Sequence, residues 1–173
     1  LASAYLDGFR WALERDYDLA FEMDSDFSHP PHVLPRLAHA AGEADLVLGS
    51  RYVRGGGTED WSFGRTMLSM AGNLYTRLWL GFGIHDWTGG FRCYRTSLLR
   101  KMDLSRSTST SYSIQMELAW FARCCGARIF EVPFHFADRA AGESKIAGGT
   151  VIEALQLVPR LRWRGGAYYG PRS

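Results

Sequence analysis

Apolar residues recur at helical spacing at Leu6, Phe9 and Leu13, which predicts a helix that Ser3 can cap. The run from Leu19 to Met23 is short and apolar and ends in Asp24-Ser25-Asp26, the pattern of a buried strand with acidic groups at its carboxyl end. Pro30 and Pro31 suit a helix N-terminus, Leu34, Leu37, Ala38 and Ala41 supply one apolar face, and Gly42 suits the stop. Leu46-Val47-Leu48 reads as a second strand, leading into Gly49-Ser50-Arg51-Tyr52. Gly55-Gly56-Gly57 reads as a flexible loop, and a longer helix with no strongly polar face follows from about Phe63 to Leu80. Gly81 to Gly90 reads as loop, Tyr112 to Cys125 as helix closed by Gly126, and Ile129 to Phe136 as strand, with Pro133 marking an edge or a bend. Ser105 to Ser113 is rich in Ser and Thr and reads as a solvated connection. Val151 to Trp163 has the pattern of a partly basic amphipathic helix. Strands alternating with helices predict an α/β fold around a mostly parallel sheet.

Composition narrows the class without choosing a function. The 173 residues are 46% hydrophobic and 22% charged, ordinary for a globular chain with a sizeable core. Net charge is only +2 and the basic residues are scattered, which argues against a nucleic-acid partner. The cysteines, Cys93, Cys124 and Cys125, have no zinc-like spacing and read as reduced, buried thiols. No apolar run is long enough to span a bilayer, so work on a lipid would be done from the cytosolic surface.

Four segments could carry chemistry. Asp24 and Asp26 lie at a strand end, where open α/β sheets bind ligands. Two carboxylates so close repel unless a cation lies between them, and hard oxygens suit Mg²⁺ or Mn²⁺ shared with substrate phosphates. The same triplet also suits an acidic turn capping the next helix. Arg51, Arg65, Arg92 and Arg139 follow apolar segments, and guanidinium forks match phosphate oxygens. Asp86-Trp87-Thr88-Gly89-Gly90-Phe91-Arg92 joins a carboxylate to a backbone that a ligand can approach closely. Asp138-Arg139-x-x-Gly142-Glu143-Ser144-Lys145 is polar and could close over an anion.

Taken in order, these motifs resemble the dolichyl-phosphate (polyprenol-phosphate) mannosyltransferase group of family 2 glycosyltransferases. The matching positions are Met23 to Pro30, Gly49-Ser50-Arg51-Tyr52, Arg65 with Ser69, Asp86-x-Thr88-Gly89-Gly90-Phe91-Arg92, Gln115-x-Glu117, Glu131-Val132-Pro133 and Asp138 to Lys145. The resemblance implies a Rossmann-like A-type glycosyltransferase fold. It implies transfer of mannose from GDP-mannose to a polyprenyl phosphate, with inversion and dependence on a divalent metal. Asp24, Asp26 and Ser28 match metal positions, with Asp24, Ser25, Asp26, Arg51, Arg139 and Lys145 at donor-contacting positions. Arg51, Arg65 and Ser69 match the grip on the acceptor phosphate, and Asp86 matches a carboxylate beside the reacting centre. The expected partners are a nucleotide sugar, the lipid phosphate and the cytosolic face of a membrane, with a membrane-anchor subunit or domain left open.

The chain departs from the resemblance at its start: the family's opening strand and nucleotide-cradling loop have no counterpart before Leu1, so the chain reads as a fragment. On this reading 1–150 is the catalytic domain without its N-terminal nucleotide-binding part, and 151–173 is a C-terminal, membrane-facing helix and tail. The readings kept beside it are a UDP-sugar-dependent glucosyltransferase acting on the same lipid, and an inert lipid-surface binding module. A glycan-extending enzyme is disfavoured, because Gln115-x-Glu117 is not followed by Arg-Trp.

Overall fold

The computed structural model describes residues 2–137 and 148–171. Helix α1 (Ala2–Glu14) leads into strand β1 (Leu19–Glu22), helix α2 (Leu34–Ala40) and strand β2 (Leu46–Ser50). Strand β3 (Gly57–Thr58) precedes the long helix α3 (Phe63–Leu80), then strand β4 (Arg92–Arg95) and helix α4 (Thr96–Lys101). Helix α5 (Ile114–Cys124), strands β5 (Ile129–Pro133) and β6 (His135–Phe136) and helix α6 (Gly148–Tyr169), which is broken by a kink at Gly165 (φ 69), complete the order. Helix α1 already includes Ala2, so Ser3 lies in its first turn and is not its cap.

The main sheet has the order β1-β4-β2-β5. Strands β2 and β5 pair in parallel, while β4 pairs antiparallel with both β1 and β2. Three strands run one way, as the alternating pattern predicts, but β4 is inserted against them, so two of the three pairings are antiparallel and the sheet is mixed rather than mostly parallel. The sequence gives no sign of β4, because Arg-Cys-Tyr-Arg lacks an apolar alternation. The short β3 and β6 form a separate parallel pair, Gly57 opposite His135 and Thr58 opposite Phe136, so part of the glycine loop is ordered strand.

Alternation along the strands splits the core between the two faces of the sheet. Leu46, Leu48 and Tyr94 join one buried cluster with side chains of α5 and α6, including Leu118, Phe121, Leu157, Val158 and Leu161. Val47 and Cys93 join a second cluster with Leu37, Phe91, Phe134 and Phe136. Cys93 is buried, Cys124 and Cys125 are partly buried, and none of the three forms a disulfide.

Helix ends follow local chemistry. The Ser62 side chain accepts the Arg65 N–H at the start of α3, and Gly81 ends that helix at φ 108, a conformation costly for other residues. Gly126, at φ 71, follows α5 in the same way. No helix among the described residues is long and apolar enough to cross a membrane.

Candidate active site

The direction of β4 brings the site together. Because it runs against its neighbours, its entering loop, 86–91, lies at the edge where β1 and β2 end. Strand β5 ends at the same edge, next to β2. The segments after β1, after β2 and before β4 therefore converge, although they are separated widely in sequence.

Arg51, just after β2, is clamped by Asp86. Arg51 Nε donates to Asp86 Oδ2 at 2.7 Å and Nη2 donates to Oδ1 at 2.7 Å, a two-pronged pair, while the Arg51 backbone N–H donates to Oδ2 at 3.0 Å. The Gly89 N–H donates to Oδ1 at 3.0 Å. Burial pushes the Asp86 carboxyl up, but the charge and hydrogen bonds of Arg51 outweigh it and hold the group below its ordinary pKa. The Asp86 loop is itself pinned by Glu131 of β5, whose carboxylate accepts the backbone N–H groups of His85 at 2.9 Å and Asp86 at 3.0 Å.

The acidic turn after β1 is built differently. Asp24 and Asp26 are half-buried and Ser25 is exposed. Asp26 Oδ1 accepts the Ser28 N–H at 3.0 Å, and the Asp24 N–H donates to His29 Nδ1 at 3.0 Å. His29 stacks on Phe91 with ring centroids 4.9 Å apart. Burial, with the nearby Arg51 charge, pulls its pKa down to about 4, so the ring is neutral at neutral pH. The Ser28 hydroxyl is buried and has no hydrogen-bond partner among the described residues. A hard cation held by Asp24 and Asp26 would give that oxygen a use, so this donor set fits Mg²⁺ or Mn²⁺. No cluster of three or more His, Cys, Asp or Glu side chains suited to a metal occurs among the described residues, so other ligands would come from substrate and water.

A cavity of about 450 Å³ joins these parts. Asp24, His29, Arg51, Arg65, Ser69 and Thr88 line its polar end. Leu68, Ala71 and Tyr75 of α3 and Val151, Ala154 and Leu155 of α6 form an apolar wall. Arg65 lies over the Trp61 ring at 4.1 Å, and the same indole has Arg51 at 5.5 Å. Two guanidinium groups thus share one aromatic platform at the mouth of the polar end. Ser69 Oγ accepts the Tyr52 hydroxyl at 2.7 Å.

The structure separates the sequence candidates by position. Asp24, Arg51, Arg65 and Ser69 face one cavity, whereas Asp86 lies behind its wall and reaches it through Arg51. Arg92 does not face a ligand: it is buried within β4 and donates to the carbonyls of Trp87, Gly89 and Gln115. Gln115 lines the cavity, but the buried Glu117 carboxylate holds the Ser107 to Ser109 segment, accepting the Thr108 N–H at 3.0 Å and the Ser109 N–H at 3.1 Å. Arg139 and Lys145, with the rest of their motif, lie outside the described residues.

Sequence reasoning passed over Glu22. It ends β1 two residues before Asp24, fully buried, and burial together with the nearby Asp24 charge outweighs its Arg92, Gln115 and Tyr94 neighbours and pushes its pKa up to about 7. A glutamate closing an otherwise apolar strand was the available signal.

The family model described as "Glycosyl transferase family 2" matches residues 1–103. The chain is 47% identical over 169 residues to the undecaprenyl-phosphate mannosyltransferase of Micrococcus luteus, covering 95% of this chain and 70% of that protein. It is 45% identical to the polyprenol monophosphomannose synthase of Mycolicibacterium smegmatis, over 95% of this chain and 63% of that one. It is 36% identical to the dolichol-phosphate mannosyltransferase of Pyrococcus furiosus, over 95% of this chain and 46% of that one. In fold, the chain resembles the glucosyl-3-phosphoglycerate synthase of Mycobacterium tuberculosis solved with Mn²⁺ and UDP-glucose, with a TM-score of 0.50 at 21% identity over 88% of this chain and 52% of that chain. The A-type glycosyltransferase fold expected from the motifs is therefore the fold observed.

Proposed function

This chain belongs to glycosyl transferase family 2, and on that premise we propose that it takes part in moving mannose from GDP-mannose to a polyprenyl phosphate, with inversion and with a divalent metal. One observation carries the reading. A single cavity has carboxylate and guanidinium groups at one end and an apolar wall of α3 and α6 at the other. That is the chemistry of a sugar diphosphate meeting a lipid-borne phosphate. The names of the three relatives support the choice of mannose and of a polyprenyl acceptor.

The acceptor is a phosphate monoester with a second pKa of about 6, so it is largely dianionic at neutral pH and needs no strong base. The difficulty is to bring it up to a negatively charged donor. Arg65 and Ser69 hold the acceptor phosphate, and Arg51, fixed by Asp86, offsets the charge between the two substrates. A phosphate oxygen forms a bond to the anomeric carbon as the bond to the diphosphate breaks on the opposite face, and the electron pair leaves with the nucleoside diphosphate. A divalent cation held by Asp24 and Asp26, with Ser28 beside them, would supply neutralisation of that leaving charge. Asp86 acts as a positioning residue for Arg51. Ser25, Arg139 and Lys145 are read as further donor contacts.

The lipid is met at a membrane surface. Exposed Phe63, Met67, Leu74, Leu78 and Trp79 make the outer side of α3 apolar, and exposed Trp163 and Tyr168 on α6 add aromatic side chains suited to an interface. We place the protein peripherally on the cytosolic face, where nucleotide sugar is available.

The test is transfer of labelled mannose by the full-length protein, with Asp26→Ala as the decisive variant. Removing the Asp26 carboxylate should lower turnover by about two orders of magnitude or more, with the melting temperature nearly unchanged, because the side chain lies at a partly exposed turn. Near-normal turnover at saturating Mn²⁺ would remove the metal assignment. Absence of transfer by the wild-type protein to any polyprenyl phosphate would remove the reaction itself.

A further inference from the structure

We infer that Asn73 is a positioning residue that locks α3 to the loop holding Arg51, and so sets where the acceptor phosphate sits; this rests on the reading of α3 as the acceptor helix. Arg65, Ser69 and Asn73 follow one another at intervals of four residues, so they share one face of α3. Arg65 and Ser69 line the cavity, while Asn73 lies one turn deeper and is buried.

Its amide meets three groups. Nδ2 donates to the Ser69 carbonyl at 3.1 Å and to Thr88 Oγ1 at 3.1 Å. Oδ1 accepts the Trp87 N–H at 2.8 Å, which fixes the amide orientation, since a flipped NH₂ would face another donor. Thr88 Oγ1 in turn accepts Arg51 Nη2 at 2.9 Å. A second link closes the circuit: Tyr52, next in the chain to Arg51, donates its hydroxyl to Ser69 Oγ at 2.7 Å. Helix α3 is therefore attached to the Arg51 segment at two points one helical turn apart. Two attachments fix both its rotation and its position along the axis.

Packing alone does not supply that fixity. Of the eighteen residues of α3, only Asn73, Thr76 and Leu80 are buried, and just one of these is an apolar side chain. Thr76 directs its hydroxyl to Gly72 of the same helix at 2.8 Å and to Met116 Sδ of α5 at 3.4 Å, not to the Arg51 circuit. A helix whose outer side is apolar and whose inner side is largely polar has weak hydrophobic registration. Displacing a reacting group by about 1 Å can cost two orders of magnitude in rate. Asn73 thus sets the distance between the grip on the acceptor and the arginine facing the donor without touching either substrate.

The experiment is a double-mutant cycle in the full-length protein with Asn73→Ala and Thr88→Val. The readouts are kcat and KM for polyprenyl phosphate, donor Kd by calorimetry, and melting temperature. Each single variant should lower kcat/KM for the acceptor about tenfold with donor Kd unchanged, and the double variant should lose less than the product of the two single losses, since both cut the Asn73–Thr88 link. Thr88→Val is close to isosteric, so it reports on the link even where Asn73→Ala folds poorly. The inference is overturned if either single variant, assayed at a temperature where it is folded, keeps wild-type acceptor kinetics, or if the two losses multiply. A purely structural asparagine would lower the melting temperature alone. If the wild-type protein transfers nothing to a polyprenyl phosphate, the reaction assignment fails, and the role given to Asn73 fails with it.

Discussion

Arg51 and Asp86 are each visible in the sequence as parts of motifs, but their pairing is not, because thirty-five residues separate them and only the reversed β4 brings them together. Glu22 and His29 show a related effect. Their burial cannot be read from neighbouring residues, yet it moves both pKa values, in opposite directions. Glu22 is raised from 4.5 to about 7, so the native state keeps a proton that the unfolded chain has lost; the stability this adds is fully present below pH 4.5 and is lost as pH rises towards about 7. His29 is lowered from 6.5 to about 4, so its contribution is present above pH 6.5 and is lost as pH falls towards about 4. Between these limits the two slopes oppose each other and the wild-type protein should show a shallow dependence. Glu22→Gln removes one of them. Urea unfolding across this range should show the variant gaining stability relative to wild type as pH rises, by up to about 1.4 kcal/mol per pH unit. A difference that stays flat or falls with pH would mean that Glu22 is ionised in the native protein like any exposed glutamate.

Among the elements, α3 is both the most legible and the least ordinary. The structure places it at Phe63–Leu80, the span predicted from the pattern. What it buries was not readable, since its apolar residues are too numerous to mark one face. The structure turns most of them outward, with Leu78 and Phe63 65% and 81% exposed. Strand β4 is the opposite case: its ends carry Arg92 and Arg95, and only the carbonyls they meet explain arginines at a sheet's centre. The outward apolar side of α3 carries a prediction of its own. Leu78→Glu replaces a side chain that would enter a lipid interface, at a cost of about 1.5–3 kcal/mol in membrane partitioning. Sedimentation with anionic vesicles should show binding weakened by about one to two decades. Transfer to a short, detergent-dispersed acceptor should be unchanged, because Leu78 does not line the cavity. Equal vesicle binding by variant and wild type would place the membrane contact elsewhere.

At the scale of the whole molecule, the alternating pattern gave the α/β class and the common direction of β1, β2 and β5, while the cavity depends on contacts that no local pattern encodes. Its apolar wall pairs α3 with α6, and the Tyr75 hydroxyl donates to the Leu155 carbonyl at 2.9 Å across that seam. The polar end lies at the strand edge, so on the proposed reading phosphate chemistry and lipid would occupy opposite ends of one space. This division makes the length of the acceptor's tail a readable variable. Ala71 is exposed on α3 and lines the apolar wall, away from Asp24 and Arg51. Ala71→Trp should fill part of that wall without disturbing packing, since Ala71 supports no core neighbour. For a polyprenyl phosphate with a long tail, KM should rise about tenfold, the scale of losing one or two buried methylene contacts. For a phosphate carrying a single isoprene unit the change should be small, and donor Kd should not move. If Ala71→Trp raises KM equally for both acceptors, the tail does not follow the groove between α3 and α6. If donor binding weakens instead, that wall belongs to the nucleotide sugar, and the assignment of the two ends of the cavity must be reversed.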